Sequence, residues 1–256
     1  MRPVALLLLV ACGGSDNSIE DRVPALALNV ALAPGETRAG VVSTSDALFA
    51  GISAEGSIGD LKIYNSRVRF IVQNVREGSY YLHQAGSVID ADIVRPAAQP
   101  GRDMVDEWPA MAGIGRLLQP TRVWVQSDGS DGDAVIVAEG WESPLDLFNG
   151  VLEGDIIENL NLKIRTEYRL PADSWFLQVT TTVTATDGDA IFQPGDAIMG
   201  AQESVSTWSP GVGFKAINSD LTGWRGYIGK RNELAFGLFR EPDQVSSPGG
   251  LKAFSS

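Results

Sequence analysis

The sequence predicts an all-β protein, a large two-layer antiparallel β-sandwich. Apolar and polar side chains alternate with period two through most of the chain, the pattern of strands with one buried face. The 28 Gly and 13 Pro recur too often to leave room for a helix much beyond about ten residues. A chain of 256 residues, 44% hydrophobic and 20% charged, has enough apolar material to bury a core as one unit.

Leu26, Leu28, Val30 and Leu32 alternate with Ala27, Asn29 and Ala31 and read as a first strand ending at Pro34-Gly35. Leu61–Tyr64 and Arg67–Val72 flank Asn65-Ser66 and form a hairpin, with Asn65 suited to a tight turn because Asn tolerates positive φ. Met111–Leu118 comes nearest to a short helix, although Gly113 and Gly115 weaken it. Val123–Val125 and Ala134–Val137 flank the polar loop 127–133 and make a second hairpin. The clearest pair follows. Leu160, Leu162, Ile164, Thr166, Tyr168 and Leu170 share one face, and Asn161, Lys163, Arg165, Glu167 and Arg169 share the other. Pro171–Ser174 turns the chain, and Trp175, Leu177, Val179, Thr181 and Val183 continue the apolar face. A last pair spans Gly223–Ile228 and Glu233–Phe239. Long strands with one polar face need a second sheet against the apolar side.

The amino terminus reads as an address. Met1-Arg2-Pro3 precedes the apolar run Val4–Val10, too short to span a bilayer but sufficient for a signal-peptide core. Leu9-Val10-Ala11-Cys12 then resembles a bacterial lipobox, which implies cleavage before Cys12 and lipid on its sulfur. Gly13 after the cut, rather than Asp, points to the outer membrane in that pattern, with the protein periplasmic or surface-facing. The expected organisation is a signal peptide over 1–11, a flexible tether over 12–24, and a single β-sandwich domain over 25–256. That domain is either complete or a fragment of a longer chain.

Composition excludes several chemistries. Twenty Lys+Arg against 32 Asp+Glu give a net charge of -12, the wrong sign for nucleic acid. One His and one Cys exclude an internal disulfide, a His/Cys zinc site and a two-histidine mechanism. No phosphate loop, nucleophile elbow or metal-binding helix is present, so no cofactor is expected. His83 lies in Tyr80-Tyr81-Leu82-His83 and reads as a packed residue rather than a base. Asp128, Asp131 and Asp133 offer oxygen ligands suited to calcium, without EF-hand spacing; an ordinary polar turn is the preferred reading. Asp189, Asp196 and Glu203 fall close in sequence, and Asp196 with Glu203 would serve a carboxylate-pair glycosidase; surface solvation is preferred. Trp108, Trp141, Trp208 and Trp224 sit among Pro, Gly and polar residues and are the candidates for stacking on sugar rings.

Several segments together carry a family resemblance. These are Gly59–Asn65 with Val68–Val72, then Gly86–Asp92, then Tyr168–Pro171 with Thr180–Thr184 and Pro194–Ala197. They resemble the amino-terminal β-sandwich of secreted bacterial lipoproteins associated with PHP-type metallohydrolases. The 160–200 stretch is also similar to galactose-mutarotase-like supersandwich domains. The resemblance implies a fold and an accessory, carbohydrate-linked role; His83 alone cannot supply the histidine pair of a mutarotase or the ligand set of a PHP centre. The expected function is therefore non-catalytic. Its expected partners are a membrane reached through Cys12, a carbohydrate, and a downstream catalytic domain. The alternative is a carbohydrate-active enzyme domain, or the non-catalytic part of a metallohydrolase.

Overall fold

The computed structural model describes residues 27–76, 85–103, 105–113, 115–145, 158–192, 194–195, 197–200, 205–210, 213–214, 224–229, 234–239 and 252–255. Among them the elements are β-strands and a single short 3-10 turn at Ser45–Ala47, with no α-helix. The first sheet contains β1 (Thr37–Val41), β2 (Leu61–Asn65), β3 (Val68–Val72) and β4 (Val88–Ile93), each antiparallel to the next. After β5 (Val105–Glu107) come β6 (Met111–Gly113), β7 (Arg116–Asp128), β8 (Ala134–Pro144), β9 (Leu162–Leu170) and β10 (Gln178–Ala185). The last five form a second antiparallel sheet in the order β10-β9-β8-β7-β6.

These two sheets face each other, and the alternation of their side chains explains why. Leu61, Ile63, Val68 and Val72 of the first sheet meet Ile136, Ala138, Leu162, Ile164, Tyr168 and Leu170 of the second in one buried cluster. On β9 every second residue from Leu162 to Leu170 is buried, as the sequence pattern requires. The Tyr168 hydroxyl donates to the Gly86 carbonyl at 2.6 Å, so the one polar tip on that face is satisfied inside the core. β10 is an edge strand, which leaves the continuing apolar face of Leu177, Val179 and Val183 only partly buried. Trp175, expected on that face, is 62% exposed, with the Arg67 guanidinium over its ring.

Two smaller sheets extend the expected two-layer plan. β11 (Ala197–Gly200) lies between β5 and β15 (Lys252–Ser255), and β12 (Val205–Trp208) pairs with β13 (Trp224–Gly229), which pairs with β14 (Leu234–Phe239). The β11–β15 pair is parallel, a departure from an antiparallel sandwich. Parallel pairing joins segments distant in sequence, and alternation within one strand carries no information about it.

Three local expectations are corrected. Residues 27–33 are turn and coil rather than a strand. Their carbonyls are taken by side chains: Arg38 donates to Ala27, Lys62 to Leu28 and Tyr64 to Val30, while Leu28 packs under the segment. Side-chain donors thus replace the ladder that a strand would need. Met111–Leu118 is a β-hairpin, turned at Gly115 with φ 78°. Asn65 does form the β2–β3 turn, but not through positive φ, which among non-glycine described residues only Asn161 adopts. Its Oδ1 accepts from the amides of Arg67 and Val68 at 2.8 and 2.9 Å, and its Nδ2 donates to the carbonyls of Pro171 and Ser174. One side chain therefore closes a turn of the first sheet and ties it to a turn of the second.

Candidate functional site

The outer face of the five-stranded sheet is built by register. Ile136 and Ala138 point into the core, so their neighbours on β8 point away. Gln119, Trp141, Lys163 and Thr184 pair across β7, β8, β9 and β10, as do Arg122, Glu139, Arg165 and Thr182 in the next row, and Trp124, Val137, Glu167 and Thr180 beyond it. The result is a ruled surface of two tryptophans among hydrogen-bonding side chains. Lys163 pairs with Glu139 at 3.2 Å, and Arg165 reaches Gln126 at 2.7 Å and Glu167 at 3.1 Å. The guanidiniums of Arg122 and Arg165 lie 4.6 and 5.5 Å from the Trp124 ring centre. Trp124 is thereby held in place by cations, and Val137 beside it is fully buried. Trp141 keeps 46% of its surface open. Along β8, Trp141 and the Val137 that faces Trp124 lie four residues apart, about 13 Å of backbone at roughly 3.3 Å each.

The other predicted aromatic residues fare differently. Trp108 is half-buried against the main core, with its backbone bridged to Val88. Trp208 is half-buried on β12, and Trp224 starts β13. The acidic loop is an ordinary turn: Asp128 accepts from the Ser130 amide at 2.9 Å, Asp133 lies 3.6 Å from Arg169, and Asp131 is exposed. Among the described residues no three His, Cys, Asp or Glu side chains are grouped to hold a metal ion. Asp189 is exposed, while Cys12, His83, Asp196 and Glu203 lie outside the described residues.

A second feature was not singled out from the sequence: a set of carboxylates buried beneath the outer side of the four-stranded sheet. Asp60, Asp90, Asp92 and Asp103 are all buried. Each accepts from backbone amides. Asp90 accepts from Glu55 and Gly56 at 2.7 and 3.0 Å, and Asp103 Oδ1 accepts from Ala91 and Val105 at 2.8 and 3.2 Å. Asp60 accepts from the amides of Ser57 and Asn74 and from Arg76, and Asp92 from the Arg102 amide and the side chains of Arg69 and Arg95. Burial pushes Asp90 up to about 7, with Glu55 and Asp60 adding repulsion against the pull of its two amide donors. Burial, then the charge of Asp90, holds Asp103 well above the usual carboxylate range. Perturbed acids of this kind mark many active sites, but neither carboxylate here has a surface that a substrate could touch. The sequence signal was present: Asp90 and Asp92 stand two apart in the otherwise apolar run Val88–Ile93.

Beside these acids Lys62 is also buried, donating to the carbonyls of Leu28 and Ala47 at 2.7 Å each, with its Nζ 4.6 Å from the Tyr64 ring centre. Burial, helped by Arg69, lowers it to about 8 against the opposing pull of Asp46. It acts as a strap rather than a nucleophile, since both carbonyls belong to the covering segments.

Compared with protein-family models, curated proteins and solved structures, the chain has no match in any of the three.

Proposed function

We propose that this chain is a non-catalytic recognition module, exported and held at a membrane by lipid on Cys12, whose open β-face binds carbohydrate. The observation that carries the ligand reading is the outer face of the five-stranded sheet, where Trp141 is exposed in register with Gln119 and Lys163 and next to Glu139. A flat indole supplies apolar area for the CH face of a sugar ring, and amide, ammonium and carboxylate groups beside it match ring hydroxyls. The backbone beneath is a rigid sheet, so little ordering would oppose binding. Export rests on the sequence alone: the apolar run Val4–Val10 and the sole cysteine at the lipobox position.

Glycan-array binding by the full chain tests the ligand reading. Trp141→Ala is expected to abolish the signal with an unchanged melting temperature; silence of the parent chain across polysaccharides would end the proposal. Anchoring is tested separately. Cys12→Ser is expected to move the protein from the membrane to the soluble fraction, and retention would refute the anchor.

A further inference from the structure

We infer that Trp175, Phe176 and Phe239 form an aromatic foot that inserts into the headgroup region of a lipid surface. The choice of a lipid surface rests on the anchor reading; carbohydrate binding plays no part in it. Trp175 and Phe176 are consecutive in the turn between β9 and β10 and are 62% and 44% exposed, and Phe239 at the end of β14 is 58% exposed. The Phe176 and Phe239 rings meet edge to face with centroids 5.7 Å apart. Elements distant in sequence thus bring three large aromatic side chains to one open place, where a single exposed apolar residue would need no explanation. The Arg67 guanidinium lies 5.5 Å from the Trp175 ring centre and 3.9 Å from Asp173. Asp173 also accepts from the Gly35 amide at 3.0 Å, so the one acid of turn 171–177 already has a cation and a donor beside it. An indole with a guanidinium next to it suits a bilayer boundary, the ring toward the acyl chains and the cation among the phosphates.

The occupant follows from where the chain enters the fold. Asn65 at the β2–β3 turn binds the carbonyls of Pro171 and Ser174, and Thr37 at the start of β1 stands opposite Asn65. The aromatic turn and the start of β1 therefore share one end of the sandwich. Ala27 is tied near that end, since its carbonyl accepts from Arg38, the neighbour of Thr37, at 2.8 Å. Ala27 stands fifteen residues after Cys12, at most about 50 Å of fully extended chain. Lipid on Cys12 would keep this end, rather than the other, within that reach of the bilayer. A net charge of -12 gives no pull toward anionic headgroups, so contact has to come from apolar insertion. Trp141 pairs with Lys163 at the opposite end of β9, about 23 Å along the strand from Leu170. A molecule standing on the foot would hold Trp141 away from the lipid.

Vesicles of phosphatidylcholine test the foot apart from the anchor, with the full chain carrying Cys12→Ser so that no lipid is attached. Co-sedimentation reads binding, and quenching of tryptophan fluorescence by phosphatidylcholine brominated on its acyl chains reads insertion. The chain is expected to bind and to be quenched alike at low and high salt. Trp175→Ala is expected to remove the quenching, and adding Phe239→Ala to weaken binding about tenfold, with the melting temperature unchanged because both side chains are exposed. Equal binding and quenching with and without these substitutions would overturn the inference, since the apolar run Val4–Val10 would then account for the contact. Absence of vesicle binding would overturn it too. A fluorescence response to oligosaccharides that Trp175→Ala removes, without vesicle binding, would make the patch a sugar site instead. Dimers in sedimentation velocity that the double substitution abolishes, again without vesicle binding, would make it an interface between copies. The anchor stands or falls separately, by the retention of Cys12→Ser at membranes in cells.

Discussion

Single side chains in this protein do work that a strand pattern does not describe. Asn65 closes one turn and binds the carbonyls of another, so Asn65→Ala removes four hydrogen bonds and should cost about 2–4 kcal/mol by denaturant unfolding. Tyr168→Phe strips the donor from the buried Gly86 carbonyl and is expected to cost about 1–2 kcal/mol, readable as a lower melting temperature. Lys62 supports a pH argument. Its folded value is depressed to about 8, so between 8 and the ordinary lysine range the unfolded chain holds more protons and stability rises with pH. Lys62→Met should remove that rise while leaving two carbonyls unpaired, which equilibrium unfolding across that window would show. Asn65 was legible as a turn residue from its neighbours; its second set of bonds was not, because the partner lies 106 and 109 residues away.

At the level of elements, the two main sheets owe their hold to facing apolar stripes. Ile164→Ala opens a cavity in the centre of that contact and is expected to cost about 2–5 kcal/mol, measured by chemical denaturation. The long β7 bends at a bulge next to Pro120, which has no amide to give the ladder, and Gly140 of β8 lies opposite. A Cβ on Gly140 would stand 2.0 Å from the Gln119 carbonyl oxygen, so Gly140→Ala should destabilise the β7–β8 pairing by more than its loss of chain freedom returns. Hydrogen exchange localised to those two strands would reveal it. Alternation in β9 was readable because one face is core and the other is solvent. The segment 27–33 alternates equally well but pairs with no strand, since its polar groups are claimed by Arg38, Lys62 and Tyr64.

For the whole molecule, the acidic balance and the buried acids act together. Asp90 holds its proton to about 7 in the folded chain, well above its unfolded value, and Asp103 is shifted the same way. The folded state therefore binds more protons than the unfolded state between roughly pH 4 and 7. Their contribution is neutral below that window and becomes a penalty as pH climbs through it. Thermal unfolding is expected to show stability declining across this range, with the decline reduced in Asp103→Asn. A net charge of -12 adds self-repulsion of the same sign.

The one-dimensional pattern determined that this chain is all-β, that its strands bury one face, and that one His and one Cys leave no paired-histidine mechanism and no zinc site built of His and Cys ligands within it. It did so because side-chain period and residue inventory are local properties. Only the tertiary structure decided that Trp108 packs inward while Trp141 faces out, that β11 pairs in parallel with β15, and that Asp90 and Asp103 are buried with their acids shifted upward. Those outcomes depend on which distant segments come to lie against each other, and a charge has no fixed cost until its surroundings are known.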